Sequence, residues 1–543
     1  MNFAVALIFS QMTVWSQPID PLHSVGFSAL AAVIPLVVVL LLMGILRRSG
    51  LLASACGLAS VAILALFVWG MPAKLAAASV GFGIVYALWP ILWIVFAALW
   101  LYNFCCDTGK IELLRRWMEY HASGDPCIQA ILVAFCFGSL LEGTAGFGAP
   151  VAMTAFLLVG LGFQPRRAVI VSLISNTAPV AFGSLGIPIV ALAGVTGLDV
   201  FKLGAMVGRQ IPLLSFILPA YLALLVGGRK GLRRCWPAAL VTGGSFALAQ
   251  LVVSNLWGPY AADIIAALSA IGSLTLYLRI TRSRVEPADL ERSPEDRLHL
   301  ERGVAFAGWL PWALLSIVMV VWSYLKLFQR GQLAIAVPAL HNAILITLYQ
   351  KPYAALYSFQ PLSAGTAAVV AGIITFLCIR SKPQIFVASG VKTFRQLRLP
   401  GLTVMLIVSL AYLYNYSGMA YTLGAAVAHV GRGFPLMSSY LGWVACFLTG
   451  SDTASNLIFG NLQVAAAQQL HLNPILLAAT NCTGAVTGKM ISPQNIAVGV
   501  TTVGLIGQEG SVLRGTFWHS VLLAGMISVM AFAQAYWMGW MVP

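Results

Sequence analysis

Apolar runs long enough to cross a bilayer recur along the whole chain. A spanning helix needs about 20 apolar residues. Such runs predict helices near 26–46, 51–69, 84–105, 205–227, 236–254, 259–280, 304–325, 361–379, 400–417 and 517–541. Two longer stretches, 127–190 and 434–505, are also apolar but are rich in Gly, Pro, Asn, Ser and Thr. Polar and helix-breaking residues at that density predict interrupted helices and re-entrant segments. The first stretch reads as a helical hairpin near 129–163 and a span near 168–190. The second reads as a hairpin near 436–471 and a span near 474–500. The expected fold is an all-α polytopic membrane protein. It has about 12 transmembrane helices, two re-entrant helical hairpins and inverted repeats with two discontinuous helices.

Composition agrees with the pattern. The chain has 543 residues, 60% hydrophobic and 9% charged, with a mean hydropathy of +0.90. A soluble domain carries about 25% charged residues, so a soluble enzyme or a disordered chain is excluded. The net charge of +15 points to topogenic Lys and Arg rather than to nucleic-acid binding. With the N-terminus outside, 23 of the 31 basic residues fall in inside loops: 47–48, 110–116, 166–167, 229–234, 279–302, 380–398 and Arg514. The loop near 279–302 reads as a solvated cytoplasmic connector. In this scheme the two hairpins open to opposite sides.

The two Gly-rich stretches also match each other. Thr144-Ala145 aligns with Thr453-Ala454 and Pro165 with Pro474, 309 positions apart. Asn176, Gly183 and Pro188 align with Asn481, Gly488 and Pro493, 305 apart. The shared N-x6-G-x4-P pattern predicts two spans that unwind around their Gly and Pro. Unwinding exposes helix N-termini and free amides, which attract an anion. Asn176, Thr177, Asn481, Thr483, Thr487 and Ser492 are the candidate groups to orient a small carboxylate. The hairpin tips fall at Gly143, Thr144, Gly146 and Gly148, and at Ser451, Thr453, Ser455 and Asn456.

Three charges lie where a bilayer makes charge expensive. Glu142 and Asp452 each sit at a hairpin tip. Both are candidate proton-coupling groups, and a cap on the tip amides is the alternative, favoured for Asp452 by Ser451 and Thr453. Lys489 lies mid-span. It either attracts a substrate carboxylate or pairs with Glu142 or Asp452. Asp263 and Arg209 read as interfacial groups near span ends. The nine cysteines show no C-x-x-C spacing and the seven histidines no metal-ligand spacing, so no metal site and no cofactor are expected. Gly484-x3-Gly488-Lys489 superficially resembles a phosphate-binding loop but is one residue short and lacks the final hydroxyl. No cleaved signal peptide is expected, since a basic n-region is missing.

The motifs LLEGTAGFGAPVA (140–152), LLVGLGFQP (157–165), NTAPVAFGSLGIPI (176–189), VGRQIP (207–212), NYSG (415–418), FLTGSDTASN (447–456) and VTGKMISPQNIAV (486–498) resemble those of the L-lactate permease family of bacterial secondary transporters. The resemblance spans nearly the whole chain and is weakest over 329–360 and the first 25 residues. It implies proton-coupled uptake of lactate, and often glycolate, across the bacterial inner membrane. It also implies kinship with ion-transporter-like elevator carriers, which makes a homodimer an expectation by analogy. Ser175-Asn176-Thr177 matches the Ser-Asn-Thr signature of such carriers, whereas Thr480-Asn481-Cys482-Thr483 departs from it, which speaks against a sodium site at the second position; sodium coupling, or another small monocarboxylate as cargo, is the alternative. The expected partners are a small monocarboxylate, protons and the lipid bilayer. The expected division is a scaffold over 1–126, a first transport-unit repeat over 127–190 and scaffold spans over 191–433. A second repeat over 434–505 and a C-terminal span over 506–543 follow.

Overall fold

The structure, a computed structural model, describes residues 14–543 except 47, 122–124, 145, 147, 282–301, 348–350, 354 and 506–507. Most of the basic connector expected at 279–302 therefore lies outside the described residues, as does Arg47.

The fold is helical almost throughout. The first helices are α1 (Val25–Met43), α2 (Gly50–Phe67) and α3 (Ala73–Asp107). An amphipathic α4 (Lys110–His121) follows. Next come α5 (Pro126–Thr144) and α6 (Ala149–Gly160), then α7 (Pro165–Ser175) and α8 (Gly183–Thr196). The long α9 (Val200–Leu256) and α10 (Ala262–Thr281) precede the masked connector. Beyond it lie α11 (Arg302–Tyr324), α12 (Ala364–Cys378), α13 (Pro383–Tyr416) and α14 (Met419–Val427). The chain ends with α15 (Phe434–Thr449), α16 (Asp452–Gln469), α17 (Pro474–Lys489), α18 (Pro493–Thr502) and α19 (Glu509–Tyr536).

Nine helices among the described residues are long and apolar enough to cross a membrane, ten if the pair α7 and α8, bent by 64°, counts as one span. The difference from the expected twelve has local causes. Helix α9 counts once but doubles back at Gly228, whose φ of +62° and ψ of −159° leave the helical region. Its two arms run antiparallel: Ser215 Oγ donates to Gln250 Oε1 at 2.8 Å and Arg209 Nε to Asn255 Oδ1 at 2.8 Å. Helix α12 has only 15 residues. The stretch 474–502 is split into two shorter helices by a break at Met490–Ser492.

Both repeats contain a helical hairpin followed by a broken helix. In the first hairpin, α5 and α6 fold back on each other, so that a Cβ on Gly138 would lie 3.2 Å from Thr154 Cγ2. In the second, α15 and α16 are tied by Ser455 Oγ donating to the carbonyl of Gly442 at 3.0 Å and by Ser438 Oγ donating to Gln463 Oε1 at 2.8 Å. The hairpins lie within a few residues of the positions expected from the pattern.

The phosphate-loop-like glycines have a packing role. A Cβ on Gly484 would stand 2.1 Å from the Ser439 carbonyl oxygen, and one on Gly488 would stand 2.3 Å from that of Trp443. Glycines four apart form a flat stripe that lets α17 and α15 cross with their backbones in contact.

One set of helices, α1–α3 and α11–α14, packs mainly on itself. The hairpins and broken helices pack with α9, α10 and α19. A tyrosine seam joins the two sets. Tyr412 Oη donates to the Gly194 carbonyl at 2.8 Å and Tyr86 Oη to the Val190 carbonyl at 3.3 Å, both on α8.

The chain is not helical everywhere. Short strands β1 (Trp15–Ser16), β2 (Leu333–Ala336), β3 (Ile344–Ile346), β4 (Lys351–Pro352) and β5 (Leu356–Phe359) occupy one end. Strand β3 pairs parallel with β1 and antiparallel with β4, while β2 pairs antiparallel with β5. Pro338, Pro352 and Pro361 interrupt this segment too often for a helix, so short strands form here within an otherwise helical fold.

Candidate functional site

The breaks in the two discontinuous helices meet the hairpin tips. In the first, α7 ends at Asn176, and the chain runs through Thr177–Phe182 before re-forming as α8. Ser184, Leu185 and Gly186 all have left-handed φ values, +46°, +61° and +75°. For Ser and Leu this conformation costs roughly 1–2 kcal/mol each. Backbone strain of this kind persists only where the surrounding packing over-determines it. In the second helix, the break comes later. Helix α17 stays regular through Asn481 and Lys489, and Ser492 caps α18 by accepting from the Asn495 amide at 3.3 Å. The first break includes Gly183 and ends before Pro188, and the second is flanked by Gly488 and Pro493, so both fall at the Gly and Pro of the shared motif. The aligned asparagines nonetheless differ: Asn176 stands at a break and Asn481 inside a helix.

A buried ion pair joins the repeats. Lys489 Nζ, at the end of α17, donates to Glu142 Oε1 of the first hairpin at 2.7 Å. Glu142 is 3% exposed and Lys489 is 7% exposed. The second carboxylate oxygen, Oε2, accepts from Asn176 Nδ2 at 3.0 Å. Gly183 is needed beside this cluster, because a Cβ there would stand 2.8 Å from Glu142 Oε1. Burying two charges is tolerable only when they are paired and further hydrogen-bonded; here the ion pair and the Asn176 bond to Oε2 supply that compensation for the carboxylate.

The second hairpin reaches the same region. Asn456 Nδ2 donates to the Pro188 carbonyl at 3.2 Å, just past the first break, and Asn456 Oδ1 accepts from Asn481 Nδ2 at 3.0 Å. Asn495 Nδ2 donates to the Gly450 carbonyl at 3.0 Å, joining this tip to α18. Ser451 caps α16, accepting from the Ala454 amide at 3.2 Å. Asp452 is buried beside Cys482, whose Sγ lies 3.3 Å from Oδ2, while Oδ1 has no hydrogen-bond partner. The Thr177 hydroxyl is also buried without a partner.

Not every candidate residue joins this centre. Thr483 donates to Gln210 Oε1 on α9 at 2.8 Å, and Thr487 donates to the Gly484 carbonyl at 2.7 Å. Thr144 and Ser455 satisfy carbonyls of their own hairpins. Thr453 is half-buried in the first turn of α16. Gly143 sits against Asp263, Gly146 against Ser184, and Gly148 against Val498.

The contacts of two polar groups were missed from sequence. Asp263, in the first turn of α10, is 1% exposed and packed inside the protein. Its Oδ1 accepts from Gln250 Nε2 at 2.9 Å, and its Oδ2 has no partner. Gln210 bridges Thr480, Thr483 and Gln534. A lone Gln or Asp near a span end carries no signal of such contacts; the signal was only that a polar residue interrupted an apolar run. Arg209 is held by Asn255 and by the Met541 carbonyl, 2.8 Å away in each case.

These features define a multi-pass membrane transporter rather than an enzyme, with its polar centre built where two interrupted helices meet two hairpins. The chain belongs to the L-lactate permease family, which matches residues 28–538. It is 39% identical over 553 residues to the glycolate permease GlcA of Escherichia coli strain K12, covering 97% of this chain and 99% of that one. It is 39% identical over 556 residues to the L-lactate permease of Salmonella typhimurium, covering 98% of this chain and 100% of that one. Among solved structures, MtrF of Neisseria gonorrhoeae is similar at a TM-score of 0.46 and 12% identity, over 86% of this chain and 84% of that one. Family membership and the apolar helices make this a multi-pass protein of the bacterial plasma membrane.

Proposed function

We propose that this permease takes up L-lactate, D-lactate and glycolate together with protons, by an elevator-type alternating-access movement of the two repeats against the remaining helices. Two relatives are named for lactate and for glycolate, which supports small 2-hydroxy monocarboxylates as the cargo. The observation that carries the reading is the buried contact of Lys489 with Glu142.

The chemistry follows from charge balance. An incoming carboxylate competes with Glu142 for the Lys489 ammonium. Once Lys489 turns to the substrate, Glu142 is a buried anion without a counter-charge, and taking one proton removes that cost. Asn176, Thr177 and Asn481 supply amide and hydroxyl groups around the substrate. Ser492 holds the α18 N-terminus towards it. Asp452 is the second carboxylate of the proton path. One proton per anion makes the cargo neutral. Uptake then avoids about 2.3 kcal/mol per 100 mV of opposing potential and gains about 1.36 kcal/mol per pH unit.

The test is uptake of labelled lactate and glycolate into proteoliposomes under imposed pH or sodium gradients. Accumulation should follow the pH gradient and collapse with a proton ionophore. Accumulation that survives the ionophore but needs sodium overturns proton coupling in favour of a sodium-coupled carrier. A preference for an unrelated monocarboxylate overturns the cargo. In Glu142→Gln, accumulation should be lost while exchange of internal for external substrate persists; unchanged accumulation removes Glu142 from the proton path.

A further inference from the structure

A second cluster lies away from the polar centre, where α5 begins and α9 turns back. Asp125 caps α5, its Oδ1 accepting from the Cys127 amide at 2.8 Å. Cys235, on the second arm of α9, points its Sγ at Asp125 Oδ2 from 3.5 Å, across 110 residues of sequence. Cys127 Sγ lies in the same cluster. One ligand atom from each of Asp125, Cys127 and Cys235 lies within 4.8 Å of the other two. Both cysteines are buried, at 1% and 3% exposure. Asp125 also binds Arg234 Nε at 2.5 Å, and the Arg234 side chain is 64% exposed.

We propose that Asp125, Cys127 and Cys235 form a binding site for a thiophilic divalent cation of the Zn2+ class. Two thiols and one carboxylate are a donor set that suits this ion, and a tetrahedral site has room for a water as fourth ligand. Two sulfurs on one zinc at about 2.3 Å each stand roughly 3.8 Å apart, compatible with the cluster's dimensions. Binding releases one proton from each thiol and forms two metal–sulfur bonds. The dication with two thiolates and one carboxylate carries one net negative charge, which the Arg234 guanidinium balances at the rim. Hard cations such as Mg2+ are disfavoured by the thiolates. No two of the chain's cysteines have metal-ligand spacing, so this site exists only because α9 doubles back at Gly228. Once occupied, it fastens the root of the first hairpin to α9.

The experiment titrates the purified full-length protein, in detergent with a phosphine reductant, with Co2+ as a spectroscopic probe. The expected result is saturation at one Co2+ per chain, with a thiolate-to-metal charge-transfer band that Zn2+ abolishes and Mg2+ does not. Cys127→Ser and Cys235→Ser should each weaken that band, and the double variant should lose it. Asp125→Asn should keep it with affinity lower by roughly 10–100-fold. Cys378→Ser, on the exposed face of α12, should match wild type. A wild-type protein with no charge-transfer band overturns the proposal, as does a band that persists in the double variant. X-ray absorption of the zinc-loaded wild type needs no variant: two sulfur scatterers at about 2.3 Å support the site, and a shell of oxygen and nitrogen alone overturns it.

Discussion

Replacing Lys489 by alanine tests the central pair most directly. The substitution removes the ammonium 2.7 Å from Glu142 Oε1, with Glu142 only 3% exposed. Asn176 Nδ2 remains on Oε2, so the carboxylate keeps one neutral donor and loses its counter-charge. Breaking a buried pair from one side costs about 3–5 kcal/mol. The amide donor and protonation of the abandoned acid should hold the observed loss near the lower end of that range. The double substitution Lys489→Ala with Glu142→Gln should recover most of it, because no uncompensated charge is left. Substrate affinity behaves differently. A charge-assisted hydrogen bond to the substrate carboxylate is worth about 1.5–3 kcal/mol, which is roughly a tenfold to hundredfold loss of affinity. That loss should persist in the double variant. Thermal unfolding in detergent reads the first quantity and equilibrium binding of labelled lactate the second. If Lys489→Ala leaves the dissociation constant within about twofold of wild type in folded protein, Lys489 serves Glu142 alone and the competition mechanism is wrong.

Other substitutions probe the frame that holds the pair. Gly484→Val should prevent the α15–α17 crossing, since a Cβ there stands 2.1 Å from the Ser439 carbonyl; a cost above about 3 kcal/mol should appear as loss of monodisperse protein in size-exclusion chromatography. Ser492→Ala removes the α18 cap and should lower stability by about 1 kcal/mol, measured by thermal unfolding, while Ser492→Asp should retain the cap bond. Tyr412→Phe deletes one bond across the seam to the Gly194 carbonyl. It should cost about 0.5–1.5 kcal/mol in thermal unfolding and, under the proposed elevator movement of α8 against α13, change the substrate turnover rate; an unaltered rate would place the seam outside the moving interface.

Much of the architecture is legible in the apolar pattern, for a physical reason. In a bilayer each backbone polar group must be satisfied within its own segment, so helices appear as uninterrupted apolar runs and their breaks as Gly, Pro and Asn. The hairpins near 129–163 and 436–471 and the breaks between Asn176 and Pro188 and between Gly488 and Pro493 all follow from this local rule. The doubling back of α9 is legible too, since the basic cluster 229–234 separates two apolar runs. The short strands at 333–359 are not, because their three pairings span only two to four residue pairs each and one of them, β1 with β3, joins segments far apart along the chain.

The sequence by itself determined that Glu142, Asp452 and Lys489 are charges a bilayer does not readily accept, and that two related stretches carry them. It could not say which charge meets which. Composition and period report the cost of burying a group, whereas the compensation comes from a group brought near by folding. Only the tertiary structure decided that Lys489 meets Glu142 across 347 residues, that Asp452 lies against a thiol, and that Asp263 is buried against Gln250. The same holds for the glycines at 484 and 488: their spacing was visible in the chain, but whether they cradle a ligand or a neighbouring helix depends on what approaches them, and here that neighbour is α15.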